Sequence, residues 1–197
     1  MKNKTIVLVL FALIMAVQLY VPAKMILDNE EILENGKEFK FRTQPIDPND
    51  PFRGKFVRLY IEEDHIVKDS TEEWNDSKNV FVLIEEDSLG FARIKDIAET
   101  QPASGDYIYT KVYSSYINDA GRYISVDYPF DRYYMEESKA FEAETAYRES
   151  NIDSTQVTYV LVSVKEGNAV LKDVLINEES IRDVVLRQRI ENMNSAD

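Results

Sequence analysis

The sequence predicts a mainly β (α+β) fold, an antiparallel β-sandwich or partly closed barrel with a short inserted helix, preceded by one N-terminal transmembrane helix. Three observations lead to this prediction. Residues 5–23 carry no charged side chain, short alternating segments separated by turn residues fill most of the remainder, and only two later segments have helical composition. The chain has 197 residues, which suffices for one ordinary domain besides the apolar segment.

The apolar segment has the length that a bilayer requires. Thr5 to Ala23 is free of charge, and a helix over these residues is about 28 Å long, close to the hydrocarbon thickness. Lys2 and Lys4 precede it, so the positive-inside bias puts the N-terminus in the cytoplasm and everything after Lys24 outside. We therefore expect a single-pass protein of the cytoplasmic (inner) membrane with an extracytoplasmic, periplasmic domain.

Two other interpretations of this segment exist. A cleaved signal peptide has the same basic start and apolar core. Its cleavage site needs small residues, and Val21-Pro22-Ala23 fits that pattern poorly, so we favour an uncleaved anchor. A core helix of a soluble protein is disfavoured because the segment is apolar on all sides.

The chain divides into three predicted parts. Residues 1–23 form the cytoplasmic N-terminus and the anchor, residues 24–36 a juxtamembrane helix, and residues 37–197 the β-rich domain. Met25 and Ile26 alternate with acidic residues in the second part, and Gly36 is placed to end that helix. A further division into two β subdomains near Asp119-Ala-Gly121 stays open.

Alternation and turn signals locate the elements of the β-rich part. A hairpin is predicted through Lys165-Glu-Gly-Asn168. Helices are predicted at 136–149 and, as a closing amphipathic helix, at 178–193. The predicted strands span 39–43, 56–61, 80–84, 92–97, 107–116, 123–128, 156–164 and 169–176.

A proline-rich loop between the first two strands is the best candidate site. Gln44 to Gly54 contains three prolines and one glycine, and each proline fixes its own φ and restricts the preceding residue, which makes the loop rigid and extended. Asp47 and Asp50 can cap their own turns, and Arg53 can form a bidentate pair with one of them. Gly54 permits a backbone conformation that other residues avoid. This network either locks the start of the strand that follows or forms a ligand or partner site.

The loop and its surroundings resemble a known family. Gln44-Pro-Ile-Asp-Pro-Asn-Asp-Pro-Phe-Arg-Gly54 runs into Lys55-Phe-Val-Arg-Leu-Tyr60, as a Pro-x-Asp-Pro-x-Asp-x-x-Arg-Gly loop runs into the naming motif of the GDYXXLXY family of membrane-anchored bacterial proteins. Tyr128-Pro-Phe-Asp-Arg-Tyr-Tyr-Met-Glu-Glu137 is similar to that family's Tyr-x-x-x-Arg-Tyr-Tyr-x-x-Glu segment. The resemblance covers nearly the whole chain in order.

The naming motif itself is only partly kept. Gly54 and Leu59 match it, whereas Lys55 stands in place of the aspartate, Phe56 in place of the first tyrosine and Ile61 in place of the last. These departures argue against a catalytic role for the motif's polar groups. The resemblance implies a small exported domain without an established biochemical activity, of a kind that often accompanies multi-pass membrane proteins.

Charge and composition exclude several classes of function. Without Lys2 and Lys4, residues 24–197 hold 21 basic and 36 acidic side chains, a net charge of −15. Nucleic acid is not an expected partner, because phosphate binding needs a concentrated basic surface. The chain has no cysteine, which excludes thiolate nucleophiles and cysteine-ligated metals. We expect no cofactor and no metal.

The remaining candidates are local. His65 is the single histidine, and it follows an acidic run in what we interpret as a solvated loop. Eight of the twelve tyrosines lie between residues 107 and 134, and from this stretch Arg132, Tyr133 and Tyr134 form a candidate binding surface, since tyrosine and arginine are favoured in recognition. Ordinary packing on a half-buried sheet explains the tyrosines equally well.

The sequence thus predicts a membrane-anchored, non-enzymatic interaction or accessory protein for a multi-pass membrane partner. The alternative is a module that binds cell-envelope polysaccharide or peptide. A hydrolase comes third, because no serine–lysine or other catalytic signature appears.

Overall fold

The protein is described here by a computed structural model that covers residues 2–44, 56–69, 74–153 and 155–194. The candidate loop residues Asp47, Asp50, Arg53 and Gly54 lie outside the described residues. Within these ranges the helices and strands are α1 (Lys2–Asn35), β1 (Lys37–Arg42), β2 (Phe56–Arg58), β3 (His65–Lys68), β4 (Asn79–Glu86), β5 (Ala92–Ala98), β6 (Asp106–Asn118), β7 (Gly121–Asp127), β8 (Arg132–Tyr134), α2 (Glu137–Ile152), β9 (Thr158–Lys165), β10 (Asn168–Ile176), β11 (Glu179–Ser180) and α3 (Ile181–Asn194).

The strands form three antiparallel groups. A five-stranded sheet has the order β3-β7-β6-β4-β5, a four-stranded sheet has the order β1-β9-β10-β11, and β2 pairs with β8. The alternation of each strand decides which side faces inward. In β4, for example, Val80, Val82 and Ile84 are buried while the residues between them are partly exposed.

These groups join into a nearly closed barrel. The four-stranded sheet meets the five-stranded sheet at two parallel bridges, Lys40 with Phe91 and Ile108 with Gly167. The two edges of the five-stranded sheet are held together where Lys68 Nζ donates to the Ile97 carbonyl at 2.7 Å. The mainly β prediction is therefore confirmed, and of its two forms the structure has the partly closed barrel.

Aromatic and branched side chains fill the interior. Phe41 on β1 is fully buried, with its ring 5.5 Å from Tyr128 and 5.2 Å from Phe130. The inserted helix α2 buries Tyr147 against this core, and α3 buries Ile181. The two helices also contact each other, and Arg189 Nε donates to Glu142 Oε1 at 3.0 Å.

The N-terminal helix is longer than either predicted segment. The anchor and the juxtamembrane helix form one continuous helix, α1, that passes through Pro22. Proline removes one hydrogen-bond donor and crowds the preceding turn, but the effect stays local when the rest of the helix is favourable. By length and composition α1 can cross a membrane. It therefore has the features of an anchor, which a signal sequence would share.

Gly36 ends α1 where the helix meets the barrel. Its N–H donates to the Ile32 carbonyl at 2.8 Å. A Cβ at this position would collide with that carbonyl oxygen and lie 3.2 Å from Ser163 Cβ on β9. The missing side chain thus permits the close approach of the helix end to the sheet.

Three short strands were not predicted. β3, β8 and β11 have four, three and two residues, too few for alternation to be recognised. One of them corrects the interpretation of His65. This residue begins β3 opposite Ser125, and its ring stacks on Tyr123 with centroids 4.5 Å apart.

Candidate functional site

The two ends of the proline-rich loop are tied together at its base. Gln44 N–H donates to the Tyr60 carbonyl and Gln44 Nε2 donates to the Ile61 carbonyl, both at 2.9 Å. One step further out, Glu62 N–H donates to the Arg42 carbonyl at 2.9 Å. The chain that enters the loop is therefore paired with the chain that leaves it.

A polar cluster supports this base from below. Thr43 Oγ1 donates either to Asn151 Oδ1 at 2.9 Å or to the Thr158 carbonyl at 3.1 Å. The Tyr147 hydroxyl accepts from Tyr60 N–H at 3.3 Å. Burial raises the pKa of the Tyr147 phenol to about 12, so it stays neutral at physiological pH. The cluster fixes α2 against Thr43 and Tyr60, which flank the loop.

The strand that leaves the loop pairs with the segment that contains the other candidate residues. In the β2–β8 ladder Phe56 lies opposite Tyr134, Val57 opposite Tyr133 and Arg58 opposite Arg132. The sequence presented the loop and the residues 132–134 as two separate candidates. The structure places the latter beside the strand that follows the loop.

Strand alternation gives this ladder an outer face of uniform chemistry. We call it the arginine–aromatic face, and it consists of Phe56, Arg58, Tyr60, Arg132 and Tyr134. All five side chains are half-buried or exposed, and Tyr134 is 62% exposed. The residues between them point to the core.

Contacts between guanidinium groups and rings organise the face. The guanidinium carbon of Arg58 lies 5.5 Å from the Tyr60 ring centroid, and that of Arg132 lies 5.2 Å from the Phe56 ring centroid. The Phe56 and Tyr134 rings are tilted with centroids 5.6 Å apart. Such cation–π contacts orient the charged groups before any ligand arrives. A hydrogen bond with Tyr134 and the nearby Asp131 carboxylate raise the pKa of Arg132.

Tyr133 does not belong to this surface. It is 3% exposed, and its hydroxyl donates to Asp173 Oδ1 at 2.9 Å on β10. The reason is the two-residue repeat of the strand, which turns Tyr133 inward when Arg132 and Tyr134 point outward. The predicted surface therefore keeps two of its three residues.

Sequence reasoning missed the other half of the face. Phe56, Arg58 and Tyr60 were assigned to a strand, and their alternation with buried Val57, Leu59 and Ile61 was visible. The partner strand β8 is not recognisable from sequence, because it has only three residues. Leu59 and Ile61, two positions of the naming motif, are core residues at 3% and 6% exposure.

Half of the eight tyrosines between residues 107 and 134 are buried or half-buried in the sheet. Tyr128 is buried, and its hydroxyl donates to the Glu63 carbonyl at 2.9 Å. Tyr116 and Tyr123 stack with centroids 4.8 Å apart, and Tyr123 also stacks on His65. The other four are exposed: Tyr109, Tyr113, Tyr116 and Tyr134 at 48%, 71%, 51% and 62%.

The acidic residues Glu85 and Asp87, at the end of β4, take part in ordinary structural contacts. Asp87 Oδ1 accepts from Leu89 N–H at 2.8 Å and from Phe91 N–H at 2.9 Å, which lowers the pKa of its carboxyl. Glu85 pairs with Arg93. In the described part of the chain, no group of three or more His, Asp and Glu side chains is arranged to hold a metal ion.

A second feature lies where α1 meets the barrel. Ile32 is 8% exposed against the sheet, and Lys165 Nζ lies 2.7 Å from Glu31 Oε1. Beside this contact, a groove of about 440 Å³ separates α1 from the β9–β10 turn, with Met25 and Tyr109 among its lining residues. The end of α1 thus packs directly on the barrel.

Comparison with known proteins identifies one family. The family described as GDYXXLXY protein matches residues 18–174, from the end of the apolar segment to β10. No curated protein and no solved structure matches the chain.

Proposed function

The chain belongs to the GDYXXLXY family, and we propose that it is a membrane-anchored extracytoplasmic protein that acts as a non-enzymatic accessory subunit of a multi-pass membrane partner. In this proposal α1 is an uncleaved anchor with its N-terminus in the cytoplasm. The barrel stands on the outer side of the cytoplasmic membrane, as Lys2 and Lys4 ahead of the apolar segment suggest.

The observation that carries the proposal is the continuity of α1 with the barrel. The helix has 34 residues and is about 51 Å long, whereas the hydrocarbon core is about 30 Å thick. The remaining length of about 20 Å sets the distance of the barrel from the hydrocarbon, and the end of the helix is fixed to the barrel at Ile32, Gly36 and Lys165. Residues 2–35 form one helix and β1 begins at Lys37, so in this described part of the chain no irregular linker separates α1 from the barrel.

Apolar side chains beyond the charged boundary supply a contact surface. Met25, Ile26 and Leu27 follow Lys24 and are 62%, 60% and 68% exposed. As consecutive helical residues, these side chains lie around the helix, and apolar groups exposed beyond the charged boundary are open to contact with a neighbouring protein. With a net charge of −15 behind them, anionic lipid headgroups are unfavourable neighbours for the domain. A membrane-embedded protein suits this position better.

The experiment is an exchange of the anchor. Residues 2–23 are replaced by an unrelated apolar helix of equal length that keeps both lysines, and tagged full-length proteins are cross-linked in the membrane and purified. We expect one multi-pass protein to be captured with the natural anchor and to be lost, or recovered at less than about a tenth, with the exchanged one.

A second variant keeps the anchor and changes the exposed apolar residues that follow it. Met25→Ser with Leu27→Ser removes exposed apolar surface without touching the buried core, and we expect reduced capture at unchanged thermal stability. Equal capture by the natural and the exchanged anchor would refute docking through the helix.

One observation favours the second candidate, a module that binds cell-envelope polysaccharide or peptide. The arginine–aromatic face is exposed and has a chemistry that recognition surfaces prefer. Binding of isolated cell-wall material that survives the anchor exchange would support this candidate over the accessory subunit.

A further inference from the structure

We propose that the arginine–aromatic face binds an extended acidic peptide segment, one supplied by the extracytoplasmic part of a membrane partner. This inference rests on the proposed function for the identity of the partner. The binding chemistry rests on the geometry of the face alone.

Two arginines lie directly opposite each other in the β2–β8 ladder. Leu59 N–H donates to the Asp131 carbonyl at 2.8 Å, which makes that pair hydrogen-bonded. The next pair along the ladder, Arg58 with Arg132, is then of the non-hydrogen-bonded kind, in which opposite side chains come closest. Like charges directly opposite each other destabilise a sheet. An anionic ligand would offset this repulsion.

The positive charge of this face contrasts with the negative charge of the protein as a whole. The protein has 36 acidic and 23 basic residues, and basic side chains elsewhere commonly have an acidic neighbour. Among the described residues Arg58 has no ion pair, and Arg132 has only a 3.5 Å contact with the adjacent Asp131. Arg58, with no ion pair among the described residues, and Arg132, with one long contact, form a local site for negative charge in an acidic protein.

The guanidinium groups of Arg58 and Arg132 point in different directions. Arg58 lies over Tyr60 and Arg132 lies over Phe56, which are on opposite sides of the arginine pair along β2. The two cations are therefore directed toward opposite ends of the face. They match carboxylates that are spaced along an extended chain better than one compact anion.

Ring faces decide between a peptide and a sugar. The guanidinium carbons of Arg58 and Arg132 lie 5.5 Å and 5.2 Å from the Tyr60 and Phe56 ring centroids, so one face of each of these two rings is already covered and is not available for stacking on a sugar. The N–H edges of the guanidinium groups match planar carboxylates. Extracytoplasmic loops of membrane proteins also carry fewer Lys and Arg residues than cytoplasmic ones. Few basic side chains on that side therefore compete with Arg58 and Arg132 for an acidic segment.

The test measures binding of a labelled peptide of alternating Glu and Gly to the full-length protein in detergent, by fluorescence anisotropy. We expect binding that weakens with salt and is lost with the Gln-Gly analogue. Arg58→Gln and Arg132→Gln should each weaken it about 3- to 10-fold, and the double substitution more. Arg58→Lys should be intermediate, because it keeps the charge and loses the planar group.

Arg187→Gln is the matched control. Arg187 is half exposed like Arg132, but it lies on α3 and pairs with Glu179 at 3.0 Å. The Arg187→Gln protein should bind the peptide with the same affinity as the natural protein. The thermal midpoint of the Arg58→Gln protein should be unchanged or higher, since a like-charge contact is removed, whereas a purely structural arginine would lower it.

Several results would overturn the inference. These are unchanged peptide binding in the double variant, tighter binding of polygalacturonate than of the Glu-Gly peptide, and dimerisation that the double substitution abolishes. Unchanged peptide binding in the double variant, together with capture of a multi-pass protein that is lost on anchor exchange, would overturn the inference and leave the proposed function standing. Intact peptide binding without any captured multi-pass protein would instead count against the proposed function alone.

Discussion

Tyr147 links the stability of the loop base to a single hydroxyl. It is fully buried on α2 and accepts the Tyr60 N–H. We expect Tyr147→Phe to lower the free energy of unfolding at neutral pH by about 1 kcal/mol, the usual contribution of one such hydrogen bond. Tyr134→Phe, at an exposed position, should have almost no effect. Urea titration of both variants measures the difference.

The same residue gives an alkaline signature. Burial raises the pKa of Tyr147 to about 12, while a tyrosine in the unfolded chain ionises near pH 10. The stabilisation is therefore complete below about pH 10 and is lost as the pH rises to about 12. Tyr147→Phe should make this decline shallower. A decline that is equally steep in both proteins would show that Tyr147 does not titrate as a buried group.

At the scale of elements, the end of α1 depends more on burial than on charge. Ile32 is 8% exposed, whereas Glu31 and Lys165 form an ion pair with side chains 61% and 31% exposed. We expect Ile32→Ala to cost about 2–4 kcal/mol of local stability and Glu31→Gln less than about 1 kcal/mol. Hydrogen exchange at residues 32–38 should rise strongly in the first variant only. The reverse order would assign the contact to the ion pair.

Elements with a regular repeat were predictable from sequence, and their partners were not. β4 was recognised because its apolar residues recur at every second position, and β9 and β10 were recognised because apolar, β-branched residues flank the turn Lys165-Glu-Gly-Asn168. β8 was missed because three residues cannot display a repeat. Tyr133 was consequently placed on the surface, since only the ladder with β2 shows which way it points.

The candidate site illustrates the same limit. Arg132 and Tyr134 were found by composition, because arginine and tyrosine are concentrated there. Arg58 was not, since a single arginine in a strand carries no signal until Arg132 is seen to lie opposite. The continuity of α1 was not predicted either, because the change from apolar to charged residues after Ala23 was interpreted as the boundary between two helices, whereas the helix continues across it.

For the whole molecule, net charge sets the response to salt. Residues 24–197 carry −15, and at about 0.01 M salt the screening length of about 30 Å extends over the entire barrel. Mutual repulsion then opposes the folded state. The ion pairs resist it weakly, because they are exposed, as between Lys24 and Asp28 at 2.7 Å with side chains 55% and 52% exposed, and such pairs contribute at most about 1 kcal/mol each.

We therefore expect the thermal midpoint to rise as salt increases from about 0.01 M to about 0.15 M, where the screening length falls to about 8 Å. Replacing acids such as the half-buried Glu144 and the exposed Glu149 by Gln should raise the midpoint at low salt and reduce its dependence on salt. Replacing the exposed cation Lys111 by Gln should do the opposite. Differential scanning fluorimetry across the salt series tests all three proteins, and a midpoint that falls with salt would mean that the ion pairs outweigh the repulsion.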